Sequence, residues 1–232
     1  LSLKEISSIL NKALQYQQSA IQKKTSKPNN IFNLFLEAST RTTVSFELAA
    51  NKLGHNIINV NFEKSSLSKG ETFNDTMDTL ISMKPDALII RDKNNFSPHE
   101  IYQKHNIPIL NAGDGTNEHP TQALLDLCVI KSIFKDKKIR IGICGDIKHS
   151  RVAHSNIKLL TKFDHEIHII APNYFLDKAE LTKINKKLIF HKSLSKMPKL
   201  DVIMMLRVQK ERINRNTKIY INSFKKDFCP NL

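Results

Sequence analysis

The sequence predicts an α/β fold, two parallel-sheet α/β domains in tandem joined by one long helix. Three observations predict it. Short apolar runs suited to buried strands alternate with stretches of helical periodicity. The alternation is interrupted once, by an amphipathic stretch from Pro120 to Phe134 that is longer than its neighbours. It then resumes with the same strand-helix rhythm. The expected division is residues 1–122 and residues 123–232, the second domain being incomplete at its C-terminal side.

Each element has its own warrant. Ser2 and Glu5 have capping-box spacing, and Leu3, Ile6, Leu10, Ala13 and Leu14 follow at helical intervals, so a helix opens the chain. "KTSKPNN" ends it. Apolar runs at residues 31–36, 57–60, 87–90 and 107–110 read as strands. Helical patterns lie between them near residues 44–53, 72–83 and 98–105, the last with Ser97 as cap and Pro98 in the first turn. After Pro120–Phe134 come "IRIGICGD", a helix from Arg151, "EIHIIAP", a helix over 177–186, "LIFHKS" and "DVIMMLR".

Composition excludes several classes. Of 232 residues 40% are hydrophobic, enough for a buried core, yet no apolar run approaches the ~20 residues of a membrane span. The N-terminal "LSLKEISSIL" lacks the basic head and apolar block of a secretory signal, so a cytoplasmic protein with no membrane partner is expected. It starts with Leu, and its first residues are expected to be missing. Cys128, Cys144 and Cys229 form no C-x-x-C pair, and they read as small apolar residues rather than disulfides or zinc ligands. The net charge of +14 comes from 36 basic and 22 acidic residues. The lysines are scattered, there is no Trp and no aromatic RNA-binding motif, so nucleic acid is not the expected partner. A compact anionic substrate, or a Lys-rich bias, explains the charge as well.

Open parallel sheets bind ligands at the carboxyl ends of their strands. Those ends carry Ser39, Thr40, Arg41, Thr42 and Thr43, then Arg91, then "NAGDGTNEHPTQ", then "GDIKHSR", then "RVQKER". Every one of these segments brings Arg or His. Hydroxyls and backbone N–H groups at a helix start suit an anion, and Arg41 adds a fork of donors. An ordinary N-cap with a surface Arg is the plainer account; several polar donors in a row after a buried strand favour a ligand. His119 and Gln122 stand one helical turn apart and can serve one bound group, His119 by donating to a developing oxyanion. "NAGDG" holds two of the six glycines, the mark of a close backbone approach. His, Asp and Glu show no metal-ligand spacing, His149 and His154 being five apart. There is no P-loop, and "GICGD" lacks the third glycine of a dinucleotide turn.

"STRTTVSFE", "SKGET", "NAGDGTNEHPTQALLDL", "GDIKHSRVAHS" and "MLRVQKER" occur in this order. Together they resemble the catalytic chains of the aspartate carbamoyltransferase family, over residues 37–212. "RVQKER" and "SKGET" separate the chain from the ornithine enzymes. The resemblance implies a carbamoyltransferase-like fold and transfer of the carbamoyl group of carbamoyl phosphate to L-aspartate, without metal or other cofactor. It implies Ser39, Thr40, Arg41 and Thr42 at the phosphate, with Arg91, His119 and Gln122 as the other carbamoyl-phosphate ligands, His119 at the carbonyl oxygen and Gln122 at the carbamoyl nitrogen. Arg41, Thr42, His119 and Lys69 are the implied catalytic set. Ser65 (carbamoyl phosphate) and Lys69 (aspartate) match residues inserted from a neighbouring subunit, hence a homotrimer with shared active sites. Arg151, Arg207 and Gln209 match the aspartate site. A regulatory chain or a dihydroorotase is a compatible further partner.

Three departures stand out. Thr43 replaces a second Arg, Val152 replaces a Thr, and the family's His-Pro-x-Pro segment does not occur. A carbamoyltransferase for another amino acid such as ornithine, and a truncated homologue that binds without turnover, remain open readings of the same residues.

Overall fold

The computed structural model describes residues 1–18, 24–62, 70–194 and 197–213. The chain divides into two compact units: Asn11–Thr121, and Leu1–Leu10 together with Gln122–Leu232. Each contains one four-stranded parallel sheet.

The first sheet is built from β1 (Asn30–Phe35), β2 (Asn56–Val60), β3 (Ala87–Asp92) and β4 (Ile109–Asp114), in the order β2-β1-β3-β4. Helices α2 (Thr40–Leu53), α3 (Phe73–Ser82) and α4 (Ser97–His105) connect them. Consecutive residues of β1 (Phe32, Asn33, Leu34) and of β3 (Leu88, Ile89, Ile90) are buried, so both faces of these strands are covered. Phe32, Leu34, Met77, Leu88, Ile90, Ile101 and Ile107 form this unit's core. Each fully buried Leu or Ile contributes about 1.5–3 kcal/mol.

The second sheet comprises β5 (Arg140–Cys144), β6 (Glu166–Ile170), β7 (Ile189–His191) and β8 (Val202–Met205), in the order β7-β6-β5-β8. Its helices are α5 (Pro120–Phe134), α6 (Arg151–Leu160) and α7 (Lys178–Ile184). Ile6 and Leu10 of α1 (Leu3–Gln18) pack with Ala123, Leu127 and Ile130 of α5 and with β5 and α6 in one core. The expected capping box starts α1: the Glu5 N–H donates to Ser2 Oγ at 3.3 Å, and the Ser2 N–H to Glu5 Oε2 at 2.7 Å.

Both sheets reverse direction beside their first strand. β2 lies on one flank of β1 and β3 on the other; β6 lies on one flank of β5 and β8 on the other. Such reversals open a crevice at the carboxyl ends of the two flanking strands. In the first unit these ends are Phe35 and Arg91, which are register partners. In the second they are Cys144 and Met205.

Four boundaries differ from the sequence expectation. α2 starts at Thr40 rather than near residue 44, so the polar run lies at the helix start as expected and supplies its first turn. β4 covers Ile109–Asp114, because its ladder with β3 continues through the buried Ala112 and Asp114 instead of ending with the apolar run. Ser97 does not cap α4. Phe96 holds the N-cap position with φ 64, and Ser97 lies inside the helix with its hydroxyl buried. α7 is shorter than residues 177–186, with Asp177 as its cap and Ile184 its last residue. Among the described residues no helix is long and apolar enough to cross a membrane.

Candidate active site

At the end of β1 the chain turns into α2 with Ser39 at the N-cap position. The Ser39 side chain makes no capping bond. Its hydroxyl donates instead to Thr42 Oγ1 at 3.0 Å. The first-turn N–H groups of α2, which have no intrahelical acceptor, therefore sit beside a linked pair of hydroxyls. Positive helix-end potential adds to this, giving a local arrangement suited to phosphate. Thr40 and Arg41 are exposed, while Ser39 and Thr42 are half-buried. Thr43 stands apart, its hydroxyl donating to the Ser39 carbonyl at 2.8 Å.

Arg91 is the penultimate residue of β3, its side chain 13% exposed. Its Nη1 donates to the Ala112 carbonyl at 3.3 Å and lies 3.5 Å from His119 Nε2. Its Nε lies 3.4 Å from the Glu37 carboxylate, an ion pair. Glu37, just after β1, thus ties the guanidinium to the other switch-point strand. His119 is 7% exposed, with Nδ1 3.4 Å from Thr121 Oγ1.

The loop carrying His119 is fixed by a buried carboxylate. Asp114 accepts from Phe96 N at 2.8 Å, Asn111 Nδ2 at 2.8 Å, Asn117 Nδ2 at 2.8 Å and Glu118 N at 3.2 Å. Gly115 makes room for this crossing. A Cβ there would lie 1.8 Å from Asn95 Oδ1, and its φ is +46.

The second switch point is also organised by a buried acid. Asp146 is fully buried, and its Oδ1 accepts from His149 N at 3.2 Å and contacts His149 Nδ1 at 2.9 Å. Its Oδ2 accepts from the Gln209 N–H at 3.1 Å. Gly145 before it has φ +129, and a Cβ there would come within 2.5 Å of the Leu206 carbonyl, so the ends of β5 and β8 meet closely. Arg212 Nη1 donates to the His149 carbonyl at 3.1 Å. Arg151 is buried at the start of α6, next to the cap Ser150, whose hydroxyl accepts from the Ala153 N–H. Arg207 is exposed two residues beyond β8.

The structure thus brings Arg91 and His119 together, and joins Gln209 to the α6 entry through Asp146. Gln122, on the first turn of α5, donates from Nε2 to Asp126 at 2.9 Å. Ser65 and Lys69 lie outside the described residues. Sequence reasoning missed Glu37, Asp114, Asp126 and Asp146. A signal existed for two of them: Gly113-Asp114 and Gly145-Asp146 are Gly-Asp pairs at strand ends, each glycine with positive φ. Among the described residues no group of three or more His, Cys, Asp or Glu is arranged to hold a metal. The side chains gathered at these strand ends are cations, hydroxyls and amides, groups suited to an anionic ligand.

Comparison with known proteins gives the same direction. Residues 1–132 match the family described as aspartate/ornithine carbamoyltransferase, carbamoyl-P binding domain. The aspartate carbamoyltransferase catalytic subunit of Wolbachia pipientis subsp. Culex pipiens (strain wPip) is 43% identical over 220 residues, covering 94% of this chain and 73% of that one. Aspartate transcarbamoylase of Trypanosoma cruzi, solved with carbamoyl aspartate and phosphate, superposes with a TM-score of 0.83 at 33% identity, over 92% of this chain and 74% of that chain. The same protein solved with carbamoyl phosphate and aspartate gives 0.77 at 33% identity, over 94% and 71%. With a family model matching residues 1–132 and a relative 43% identical over 94% of this chain's length, the chain belongs to the aspartate carbamoyltransferase catalytic-subunit family.

Proposed function

We propose that this protein transfers the carbamoyl group of carbamoyl phosphate to the amine of L-aspartate, a step of de novo pyrimidine biosynthesis. The products are N-carbamoyl-L-aspartate and phosphate. The amine lone pair attacks the carbonyl carbon and a tetrahedral oxyanion forms. The C–O bond to phosphate then breaks, and the ammonium proton is lost. The leaving group is already activated, so the protein's task is to hold two anions against their mutual repulsion and to stabilise the oxyanion.

In this reading Ser39, Thr40, Arg41 and Thr42 receive the phosphate, with Arg41 also reaching the carbonyl or bridging oxygen. Arg91 and His119 serve the carbamoyl group, His119 at its oxygen, and Gln122 serves its nitrogen. Arg151, Arg207 and Gln209 receive aspartate, an Arg fork suiting each carboxylate in a way Lys does not. Ser65 and Lys69 act from a neighbouring subunit, which makes the protein a homotrimer with shared sites, working in the cytoplasm. The observation that carries the reading is the convergence of Arg91 on His119 at the carboxyl end of β3, beside the uncapped start of α2.

The test is a product assay on the full-length protein with carbamoyl phosphate and either aspartate or ornithine. Carbamoyl aspartate is expected. Faster formation of citrulline, or no turnover with either amine, would overturn the reading.

A further inference from the structure

Gln122 is half-buried on the first turn of α5, with Asp126 one turn further along the same helix. The Gln122 Nε2 donates to Asp126 Oδ1 at 2.9 Å. A carboxylate can only accept, so chemistry alone settles which way the carboxamide faces: its amino group meets Asp126 and its oxygen points elsewhere. A Gln–Asp pair at this spacing is also an ordinary helix-stabilising contact. A second observation sets this pair apart. Asn156 of α6, fully buried, donates from Nδ2 to the other oxygen, Asp126 Oδ2, at 2.7 Å. Its remaining N–H goes to the Val152 carbonyl at 3.1 Å. The Asp126 carboxylate is therefore clamped from two helices, one oxygen assigned to each amide, and it cannot swing away from Gln122 without also breaking its bond from Asn156.

We propose that Asp126 is a positioning residue. It fixes the Gln122 carboxamide with Oε1 available as an acceptor, so that the protein selects an acyl phosphate bearing an N–H donor over one of the same shape without it. The proposal rests on the reading of Gln122 as a ligand of the carbamoyl nitrogen and adds how that ligand is set. An amide free to flip would present N–H to the carbamoyl N–H for part of the time and lose the discrimination.

The experiment compares carbamoyl phosphate with acetyl phosphate, in which a methyl group replaces the amino group. Dissociation constants are measured by calorimetry on the full-length protein and on its Gln122→Ala, Asp126→Asn and double variants. Asp126→Asn keeps the shape but offers Gln122 either an oxygen or an amino group. The preference for carbamoyl phosphate is expected to fall at least fivefold in Asp126→Asn, wholly through weaker carbamoyl phosphate binding. It should fall as far in Gln122→Ala, and the double variant should fall no further. Should Asp126→Asn fail to fold, Asn156→Ala, which frees the far oxygen of Asp126, is expected to shift the preference about twofold in the same direction. Equal weakening of both ligands in these variants would make Asp126 merely structural and overturn the proposal. So would a lost preference in Gln122→Ala with none lost in Asp126→Asn. A preference unchanged in Gln122→Ala would instead overturn the reading of Gln122 as a ligand, and the proposal with it.

Discussion

Replacing Asp146 by Asn should impair the use of aspartate while sparing carbamoyl phosphate. The carboxylate is fully buried and serves three contacts: two from His149, at 3.2 and 2.9 Å, and one from the Gln209 N–H at 3.1 Å. An amide has one oxygen. It will turn that oxygen to the side where two donors converge, at His149, and its amino group will then face the Gln209 N–H. One backbone donor is thereby orphaned, at a cost of about 1–3 kcal/mol. Gln209 is only half-buried, so water recovers part of this and the lower half of the range applies. At about 1.4 kcal/mol per tenfold, the segment carrying Arg207 and Gln209 should lose its setting by a factor of about 5–25. Steady-state kinetics on the full-length protein, varying each substrate in turn, should show the KM for aspartate raised by that factor and the KM for carbamoyl phosphate within twofold of wild type. An unchanged aspartate KM, or equal rises in both, would refute the reasoning.

Three further outcomes are expected. Arg41→Ala in the full-length protein should lower turnover by about 100-fold or more, the usual cost of losing an oxyanion donor, with the fold intact because Arg41 is exposed; activity within threefold of wild type would contradict its role. Mixing inactive Lys69→Ala and Arg41→Ala proteins should regenerate activity after subunit exchange, with hybrids verified by native mass spectrometry, if Lys69 acts across a subunit boundary. Unfolding in urea should become easier as pH falls below about 6.5, the unperturbed imidazole value. His191 is held below that value by burial first and then by the charge of neighbouring His168, so the folded state binds fewer protons than the unfolded one and stability is lost as pH drops through that window. His191→Phe should flatten the slope between pH 7 and 5, although His165, lowered chiefly by burial, leaves a residual one.

The element order was legible because it depends on local pattern. Pro120 opens α5 and Phe134 ends it, as the proline signal and the amphipathic run indicate. Where local pattern and tertiary pairing disagreed, pairing prevailed. β4 continues through Asn111 and Gly113 because β3 beside it supplies the ladder. Ser97 lost the cap to Phe96, whose left-handed backbone follows from its N–H being drawn to Asp114. The cations and hydroxyls of the candidate site were legible as motifs. The buried or half-buried acids hydrogen-bonded around them were not, since some of their partners are distant in sequence: Asp126 and Asn156 are 30 residues apart, Asp146 and Gln209 63.

The return of β8 to the open flank of β5 has a consequence during biosynthesis. Arg140 and Asp201, whose contact marks the start of that pairing, are 61 residues apart. At about 5–20 residues per second, a ribosome needs roughly 3–12 s to supply β8 after β5 has emerged. Throughout that interval β5, with Ile141 and Ile143 destined for full burial, presents an unpaired edge of the kind that recruits other strands. The nascent second unit is thus most exposed to aggregation between these two strands, and chaperone dependence should be concentrated on chains stalled there.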